Sequence, residues 1–232
     1  MNSQIVPSAP FKNYTEIETL ANKSKDKVER IQVDVCDGKF VANISWPFTE
    51  YAKNDFQKLF EKKDLDVFLP EWENLNYSAD LMVENPEKYI ESLVAFGFDE
   101  IIIHFRSQPD WEKIFNFVEN FDLNLVLAID IKTNFEEFKN FIKQNFEKIN
   151  AFQVMGIEKI GFQGQEFSEK SLEIVRTLRK EFPEKQIYFD GGINDETIEE
   201  IKKAGVEVFC VGSYLTKSDN FLDNLNYLKE MV

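Results

Sequence analysis

The chain has 232 residues, 43% of them hydrophobic, which is enough for one α/β domain of barrel size with a large core. A formal net charge of −15 argues against nucleic acid or an anionic membrane surface as a partner, and no apolar run approaches the ~20 residues of a membrane span. Two cysteines without disulfide or zinc spacing, and an N-terminus without a signal-peptide pattern, predict a cytoplasmic protein.

Short β-prone runs alternate with amphipathic helical stretches along nearly the whole chain, and this alternation predicts βαβ units around a parallel sheet. The predicted strands cover residues 4–8, 30–35, 77–83, 100–104, 123–128, 151–155, 186–190 and 208–211. The predicted helices cover residues 14–21, 55–62, 86–96, 109–121, 134–146 and 172–182, and a last one follows Asn194 as its N-cap.

Eight strands that alternate with helices, in a chain of this length, fit a closed (β/α)₈ TIM barrel better than an open sheet. An open doubly wound sheet would need a glycine fingerprint after the first strand, and residues 7–10 supply none. We therefore predict a single barrel domain over residues 1–232, with an irregular insertion at about 46–76. Within it, residues 67–70 read as an extra strand or a packed loop.

The end of the seventh strand carries the strongest local signal. Asp190 ends this strand, and Gly191 and Gly192 lead directly into a helical stretch. Paired glycines between a strand and a helix let backbone N–H groups close around an anion. Carboxylates at the C-terminal ends of barrel strands lie where barrel enzymes keep their chemistry. Asp34 near the end of the second strand, and the Gly212–Ser213 turn after the eighth, make an ordinary turn a less satisfactory interpretation.

Several segments resemble ribulose-phosphate 3-epimerases. Residues 32–44 are similar to their His-x-Asp-x-Met-Asp-Gly-x-Phe-Val-Pro-Asn segment, and residues 80–86 look like their His-Leu-Met-Val segment. Residues 190–193 and 212–213 resemble their phosphate-binding turns, and residues 161–165 their Gly-Phe-Gly-Gly-Gln loop. The resemblance implies a barrel of the ribulose-phosphate-binding type with a small sugar phosphate as ligand. The phosphate-binding residues that it implies are Gly161, Gly164, Gly191, Gly192, Gly212 and Ser213.

The resemblance also implies a divalent metal held by two histidines and two aspartates. Asp34 and Asp190 match the aspartates, whereas the histidine positions carry Gln32 and Asp80. Three carboxylates that converge without a cation are strongly unfavourable, so protons or a metal must neutralise them. Because these four residues offer only oxygen ligands, they favour Mg²⁺ or Mn²⁺ over Zn²⁺, and a site without metal stays open.

Other residues have simpler interpretations. A serine that holds substrate in the family falls on Phe11, and a methionine of the family's site is Cys36. His104, the only histidine, is interpreted as a packing or hydrogen-bonding residue, and both cysteines as small core side chains. Residues 130–132 match weakly the Asp-x-Lys-x-x-Asp motif of phosphosugar aldolases and decarboxylases, because Phe135 replaces its last aspartate.

The resemblance therefore implies an isomerase that epimerises a phosphorylated ketose, with Asp34 and Asp190 as the proton-transferring pair at the carbon next to the carbonyl. Two alternatives stay open because the histidine positions are substituted. One is a barrel that binds a sugar phosphate without epimerase turnover, and the other is a related phosphosugar enzyme with altered chemistry. The sequence does not decide between a monomer and a homo-oligomer.

Overall fold

Eight parallel strands close into a barrel in the order β1 to β8, in a computed structural model that describes residues 3–58 and 69–232. β1 pairs with both β2 and β8, which closes the sheet and confirms the predicted (β/α)₈ fold. The strands are β1 Gln4–Ala9, β2 Arg30–Cys36, β3 Asn76–Met82, β4 Glu100–His104, β5 Asn124–Ile129, β6 Ala151–Met155, β7 Gln186–Asp190 and β8 Val208–Val211.

Helices surround this barrel, as the alternating pattern predicts. Within the described residues they are α1 Tyr14–Ser24, α2 Lys53–Phe56, α3 Ile90–Phe96, α4 Trp111–Phe121, α5 Phe135–Asn145, α6 Glu169–Glu181, α7 Ile198–Ala204, α8 Ser213–Thr216 and α9 Phe221–Met231. Helix α9 was not predicted from the sequence. None of the helices in the described part of the chain has the length and apolar character needed to traverse a bilayer.

The two-residue period of the strands decides which side chains reach the barrel interior. In β2, Ile31 and Val33 belong to the main hydrophobic core beneath the helices, whereas Gln32 and Asp34 lie on the opposite face. A second apolar cluster fills the middle of the interior, and it consists of Val6, Ile102, Val126, Ala128, Ala151, Tyr188, Val208 and Cys210. On β4, Glu100 precedes and His104 follows Ile102, so polar side chains lie on both sides of this cluster.

At the N-terminal end of the strands, buried and partly exposed polar side chains are paired with one another. Glu100 accepts hydrogen bonds from Ser78 Oγ at 2.6 Å and from the Tyr188 hydroxyl at 3.0 Å. Arg30 donates two hydrogen bonds to the Asp99 carboxylate, at 2.9 and 2.6 Å. This network stabilises the end of the barrel away from the glycine turns, because each pair satisfies polar atoms that would otherwise be buried without a partner.

The first helix after β7 begins later than predicted. Asn194 does cap a turn, because its Oδ1 accepts hydrogen bonds from the backbone N–H groups of Glu196 at 2.8 Å and Thr197 at 3.1 Å. Helix α7 nevertheless begins only at Ile198. The intervening turn lets Thr197 Oγ1 donate to the Gly192 carbonyl at 2.8 Å, which fixes the glycine pair after β7.

The predicted insertion at 46–76 is described only in part. The helix predicted for 55–62 corresponds to the short α2, and residues 59–62 lie outside the described residues. Of the predicted strand or loop at 67–70, residues 67 and 68 also lie outside them, and Leu69 is a buried core residue outside any strand. Trp46 is fully buried and donates from Nε1 to Asp55 at 2.9 Å, so the start of this segment packs on the barrel.

Candidate active site

Three aspartates meet inside the C-terminal end of the barrel. Asp34 comes from β2, Asp80 from β3 and Asp190 from β7, and one carboxylate oxygen of each lies within 4.8 Å of the others. All three side chains are buried. β7 pairs with β6 and β8 rather than with β2, so the cluster is assembled across the barrel interior. The sequence-predicted carboxylates are therefore brought together by closure of the sheet.

Gln32 bridges two of these carboxylates. Its Nε2 donates to Asp34 Oδ1 at 3.0 Å and to Asp190 Oδ2 at 2.7 Å. The other end of the same amide, Oε1, is buried and has no hydrogen-bond partner among the described residues. Gln32 is two residues before Asp34 on β2, so both side chains lie on the interior face.

Asp80 is held by a different pair of donors. His104 Nε2 lies 2.8 Å from Asp80 Oδ1, and Gln153 Nε2 donates to Asp80 Oδ2 at 2.8 Å. The predicted hydrogen-bonding interpretation of His104 thus describes its contact, although its closeness to the carboxylates was not foreseen. Gln153 was missed entirely. The available signal was a polar residue on the inward face of an otherwise apolar strand, β6.

Burial and mutual repulsion shift the protonation of this cluster. Burial, and next the nearby Asp80 carboxylate, raise the pKa of Asp190 to about 7, against the hydrogen bond from Gln32 and the influence of His104. Burial is also the largest cause that raises the pKa of Asp34 well above its ordinary value, followed by Asp190 and Asp80. Since one shared proton relieves repulsion between two close carboxylates, the pair favours one protonated and one ionised member near neutral pH.

A cavity of about 310 Å³ opens above two of the three carboxylates. Asp34 and Asp190 line it, whereas Asp80 and Gln32 are not among the described residues of its wall. The predicted phosphate-binding glycines and serine all line the same cavity: Gly161, Gly164, Gly191, Gly192, Gly212 and Ser213. A ligand in this cavity would therefore contact the carboxylate pair and the glycine turns together.

The turn after β7 requires glycine at both positions. Gly191 has φ 108° and Gly192 has φ 72°, in the left-handed region that other residues rarely adopt. A Cβ atom on Gly191 would lie 2.8 Å from Ile157 Cγ2, and one on Gly192 would lie 2.8 Å from the Phe167 Cα. The missing side chains keep the backbone of this turn accessible from the cavity.

The loop between β6 and α6 forms one wall of the cavity and is tied to its neighbours. Asn43 Nδ2, from the segment after β2, donates to the Gly161 carbonyl at 2.6 Å. Gln163 Nε2 donates to the Ser8 carbonyl and to Thr216 Oγ1, both at 3.2 Å. These contacts join three loops at the C-terminal end of the barrel into one rim.

The predicted departure at Phe11 does not affect the cavity. Phe11 is 5% exposed and belongs to the main hydrophobic core, whereas Ser8, from the end of β1, lines the cavity. The expectation that a large aromatic side chain replaces a cavity serine is therefore wrong. The reason is that Ser8 lies within β1 on its inward face, and Phe11 lies two residues beyond the end of that strand.

Neither the two cysteines nor the stretch at 130–132 supplies a reacting group. Burial raises the pKa of both Cys36 and Cys210 well above the usual value of a thiol, so neither supplies a thiolate. Asp130 pairs with Arg106, whose Nε donates to it at 3.1 Å, and neither is among the described residues of the cavity wall. The Asp-x-Lys stretch at 130–132 therefore does not contribute to this cavity.

The residues fit a hard divalent cation. Carboxylate oxygens from Asp34, Asp80 and Asp190 are close enough to share one ion. Gln32 Oε1, which is buried and unpartnered among the described residues, would become a fourth oxygen ligand if the amide turned by a half-turn, since its Nε2 now faces the carboxylates. A cation would offset the repulsion among the three carboxylates and would give that orphaned oxygen a partner.

Comparisons with known proteins agree with this geometry. A family model described as "Ribulose-phosphate 3 epimerase family" matches residues 3–216. The chain is 24% identical over 231 residues to a ribulose-phosphate 3-epimerase of Eremothecium gossypii, covering 98% of this chain and 92% of that protein. It is 27% identical over 197 residues to a ribulose-phosphate 3-epimerase of Chlamydia muridarum, covering 82% and 77%.

Two solved structures show the same fold at lower sequence identity. The 3-hexulose-6-phosphate synthase of Salmonella typhimurium aligns with a TM-score of 0.67 at 15% identity, covering 98% of this chain and 97% of that one. The 3-keto-L-gulonate-6-phosphate decarboxylase of Vibrio cholerae aligns with a TM-score of 0.68 at 13% identity, covering 100% and 97%. These likenesses extend the barrel fold to proteins named for other phosphosugar reactions.

Proposed function

Because the chain belongs to the ribulose-phosphate 3-epimerase family, we propose that it inverts the carbon next to the carbonyl of a phosphorylated ketose. One observation carries this proposal. Asp34 and Asp190, from different sides of the barrel, line one cavity together with the glycine turns after β6, β7 and β8. That arrangement suits a substrate with a reacting carbon at one end and a phosphate at the other.

The two carboxylates would share the proton transfers. One carboxylate removes the proton from the carbon next to the carbonyl, and the other delivers a proton to the opposite face of the same carbon. This division needs one ionised and one protonated group at the start of each turnover. In the metal-free protein the raised pKa values of Asp34 and Asp190 favour that state near neutral pH, because the buried pair retains a proton that two exposed aspartates would release.

The phosphate group would be held by backbone amides. Gly191, Gly192, Gly212 and Ser213 surround one side of the cavity, where exposed N–H groups of turns attract an anion. The chain carries a net charge of −15, so such local amides must act against the overall field. The glycine pair also lies immediately after Asp190, which fixes the distance between the phosphate end and the reacting end of the ligand.

A divalent cation is the expected cofactor, and Mg²⁺ or Mn²⁺ fits the donor set better than Zn²⁺. Gln32, Asp34, Asp80 and Asp190 would hold it, and all four offer oxygen rather than imidazole or thiolate ligands. When bound, it would supply positive charge to the substrate oxygen that becomes negative as the proton leaves. Tight stoichiometric zinc in the purified protein would contradict this choice of metal.

The proposal is tested by incubating the protein with ribulose 5-phosphate in D₂O, with and without added Mn²⁺ or Mg²⁺. Deuterium at C3 together with formation of the C3 epimer is the expected result. Stabilisation by the sugar phosphate without deuterium incorporation would contradict turnover and would favour the alternative of a binding barrel.

One observation favours that alternative specifically. Each oxygen of Asp80 already has a hydrogen-bond partner, one in His104 and the other in Gln153. Gln32 donates to the other two carboxylates. These four contacts hold the three carboxylates in place without a reacting ligand. A sugar-phosphate sensor with no turnover would keep the glycine turns and this closed network, and the exchange experiment separates it from the epimerase.

A further inference from the structure

One amide spans the interior of the barrel between the two carboxylates of the candidate active site. Gln32 Nε2 reaches Asp34 Oδ1 on its own strand and Asp190 Oδ2 on β7, and β2 and β7 are not neighbours in the sheet. Through this nitrogen, two strands that share no backbone pairing are joined beneath the cavity. Among the described residues, Gln32 is the one side chain that hydrogen-bonds to both carboxylates of the pair.

The contact leaves the cavity side of the pair open. Gln32 uses one oxygen of each carboxylate, and neither Asp34 Oδ2 nor Asp190 Oδ1 has a hydrogen-bond partner within residues 3–58 and 69–232. Gln32 itself is fully buried, whereas Asp34 and Asp190 retain 7% and 8% exposure. The amide therefore fixes the rear of each carboxylate while the front remains available to a ligand.

The far end of the same amide is unsatisfied. Gln32 Oε1 is buried and unpartnered among the described residues, in a cluster where its own nitrogen makes two hydrogen bonds. An amide carries donors on one end and an acceptor on the other, so a half-turn about its last side-chain bond exchanges the two. Facing carboxylates alone it presents N–H, and facing a cation it would present oxygen.

We infer that Gln32 is a positioning residue: its N–H₂ holds Asp34 and Asp190 in one arrangement in the metal-free protein, and its carbonyl oxygen replaces that contact when a divalent cation enters. A carboxylate at this position would offer no N–H donor to the pair and would add repulsion unless a cation is bound. Gln32 serves both states, so the acidic cluster stays ordered with or without the cation. This role rests on the proposed function for its chemical purpose, but stability and metal affinity report on it without turnover.

The test compares Gln32→Glu and Gln32→Leu with the unaltered protein, each measured in EDTA and in a Mn²⁺ titration at pH 8. Gln32→Glu has the same length but no N–H donor and adds a fourth carboxylate. It should melt at least about 5 °C lower in EDTA, because two hydrogen bonds to charged groups are lost and repulsion is added. The same variant should bind Mn²⁺ about tenfold more tightly, because an anionic ligand replaces a neutral one.

Gln32→Leu removes both the donor and the acceptor. It should melt lower in EDTA and also bind Mn²⁺ about tenfold more weakly, since the cation loses one oxygen ligand. The opposite metal affinities of the two variants, beside the same loss of metal-free stability, cannot come from a general packing defect. If Mn²⁺ affinity changed in the same direction in both variants, or if either variant melted like the unaltered protein in EDTA, the inference would be overturned.

Two controls separate charge and instability from the role of this amide. Gln144→Glu makes the same charge change on the exposed face of α5, and it should leave melting and Mn²⁺ affinity unchanged. Tyr188→Phe removes a buried hydrogen bond to Glu100 at the opposite end of the barrel, so it should lower melting without changing Mn²⁺ affinity. If Gln32→Glu behaves like either control, Gln32 does not position the pair. Failure of deuterium exchange in the unaltered protein would contradict the epimerase alone and would leave these results intact.

Discussion

His104 Nε2 lies 2.8 Å from Asp80 Oδ1, so the only histidine of the chain reaches the acidic cluster from β4. Asp80 pairs with Ile102 in the β3–β4 register, and His104 is two residues further along on the same face. The imidazole thus approaches Asp80 from the neighbouring strand. Together with Gln153 it fixes both oxygens of a fully buried carboxylate.

This contact predicts the effect of replacing His104. In His104→Leu, Asp80 loses one of its two donors, and the free energy of unfolding should fall by about 1–3 kcal/mol. His104→Gln, which keeps an N–H donor of similar reach, should recover part of that loss. Chemical denaturation in EDTA measures both variants. Equal stability of His104→Leu and the unaltered protein would show that the contact contributes nothing to the fold.

The raised pKa of Asp190 predicts a pH dependence of stability in the metal-free protein. Because its folded pKa of about 7 exceeds the ordinary aspartate value of 3.8, the native state keeps a proton that the unfolded chain releases. This contribution is fully present below the unfolded value and is lost as pH rises through the folded value. The free energy of unfolding in EDTA should therefore decrease between about pH 5 and pH 8.

Asp190→Asn should flatten that decrease, because an amide has no proton to lose. Asp223→Asn, on the exposed face of α9, is the matched control and should retain it. Added Mn²⁺ should restore stability at pH 8 in the unaltered protein, because the cation replaces the proton among the carboxylates. A profile that rises from pH 5 to pH 8 in EDTA would show that the cluster is not proton-stabilised.

The glycine turn after β7 predicts a difference between two Gly→Ala substitutions. Gly192 and Gly164 both have positive φ, at 72° and 77°, so an alanine is strained at either position. A Cβ on Gly192 would also meet Phe167 at 2.8 Å, whereas one on Gly164 meets nothing within 4 Å. Gly192→Ala should therefore weaken binding of a sugar phosphate about tenfold or more, and Gly164→Ala should weaken it less.

Titration calorimetry with ribulose 5-phosphate measures this difference, and inorganic phosphate serves as the second ligand. If Gly192→Ala loses affinity for both ligands and Gly164→Ala does not, the phosphate group binds at this turn. If Gly164→Ala loses as much affinity as Gly192→Ala, backbone strain alone explains the effect, and the turn after β7 has no special part in binding.

The barrel could be predicted from the sequence because each strand is a short apolar run between recognisable helix signals. Asp34 and Asp190 could be matched to a single site because both lie near strand ends, and closed parallel barrels bring all such ends to one face. The substrate-holding serine position was matched to Phe11, whereas the serine that lines the cavity is Ser8, within the strand β1 that continues to Ala9.

The partners of the carboxylates could not be predicted in the same way. Gln153 lies on β6 and reaches Asp80 on β3, and these two strands are separated in the sheet by β4 and β5. Such contacts depend on side-chain length and rotamer across the barrel interior, which a one-dimensional pattern does not encode. The delayed start of α7 was missed for a local reason: Asn194 looks like a helix N-cap in the sequence, but it caps a turn that ends before the helix begins at Ile198.

We propose that Asp34 and Asp190 act on opposite faces of one carbon, and single-residue variants test this division most directly. Asp34→Asn and Asp190→Asn are each incubated in D₂O with ribulose 5-phosphate and, separately, with its C3 epimer. Both variants should lose epimerisation by about 100-fold or more, and each should retain deuterium exchange at C3 for only one of the two epimers. Epimerisation that survives either substitution would contradict this division of roles. So would a variant that exchanges deuterium equally with both epimers, or with neither of them.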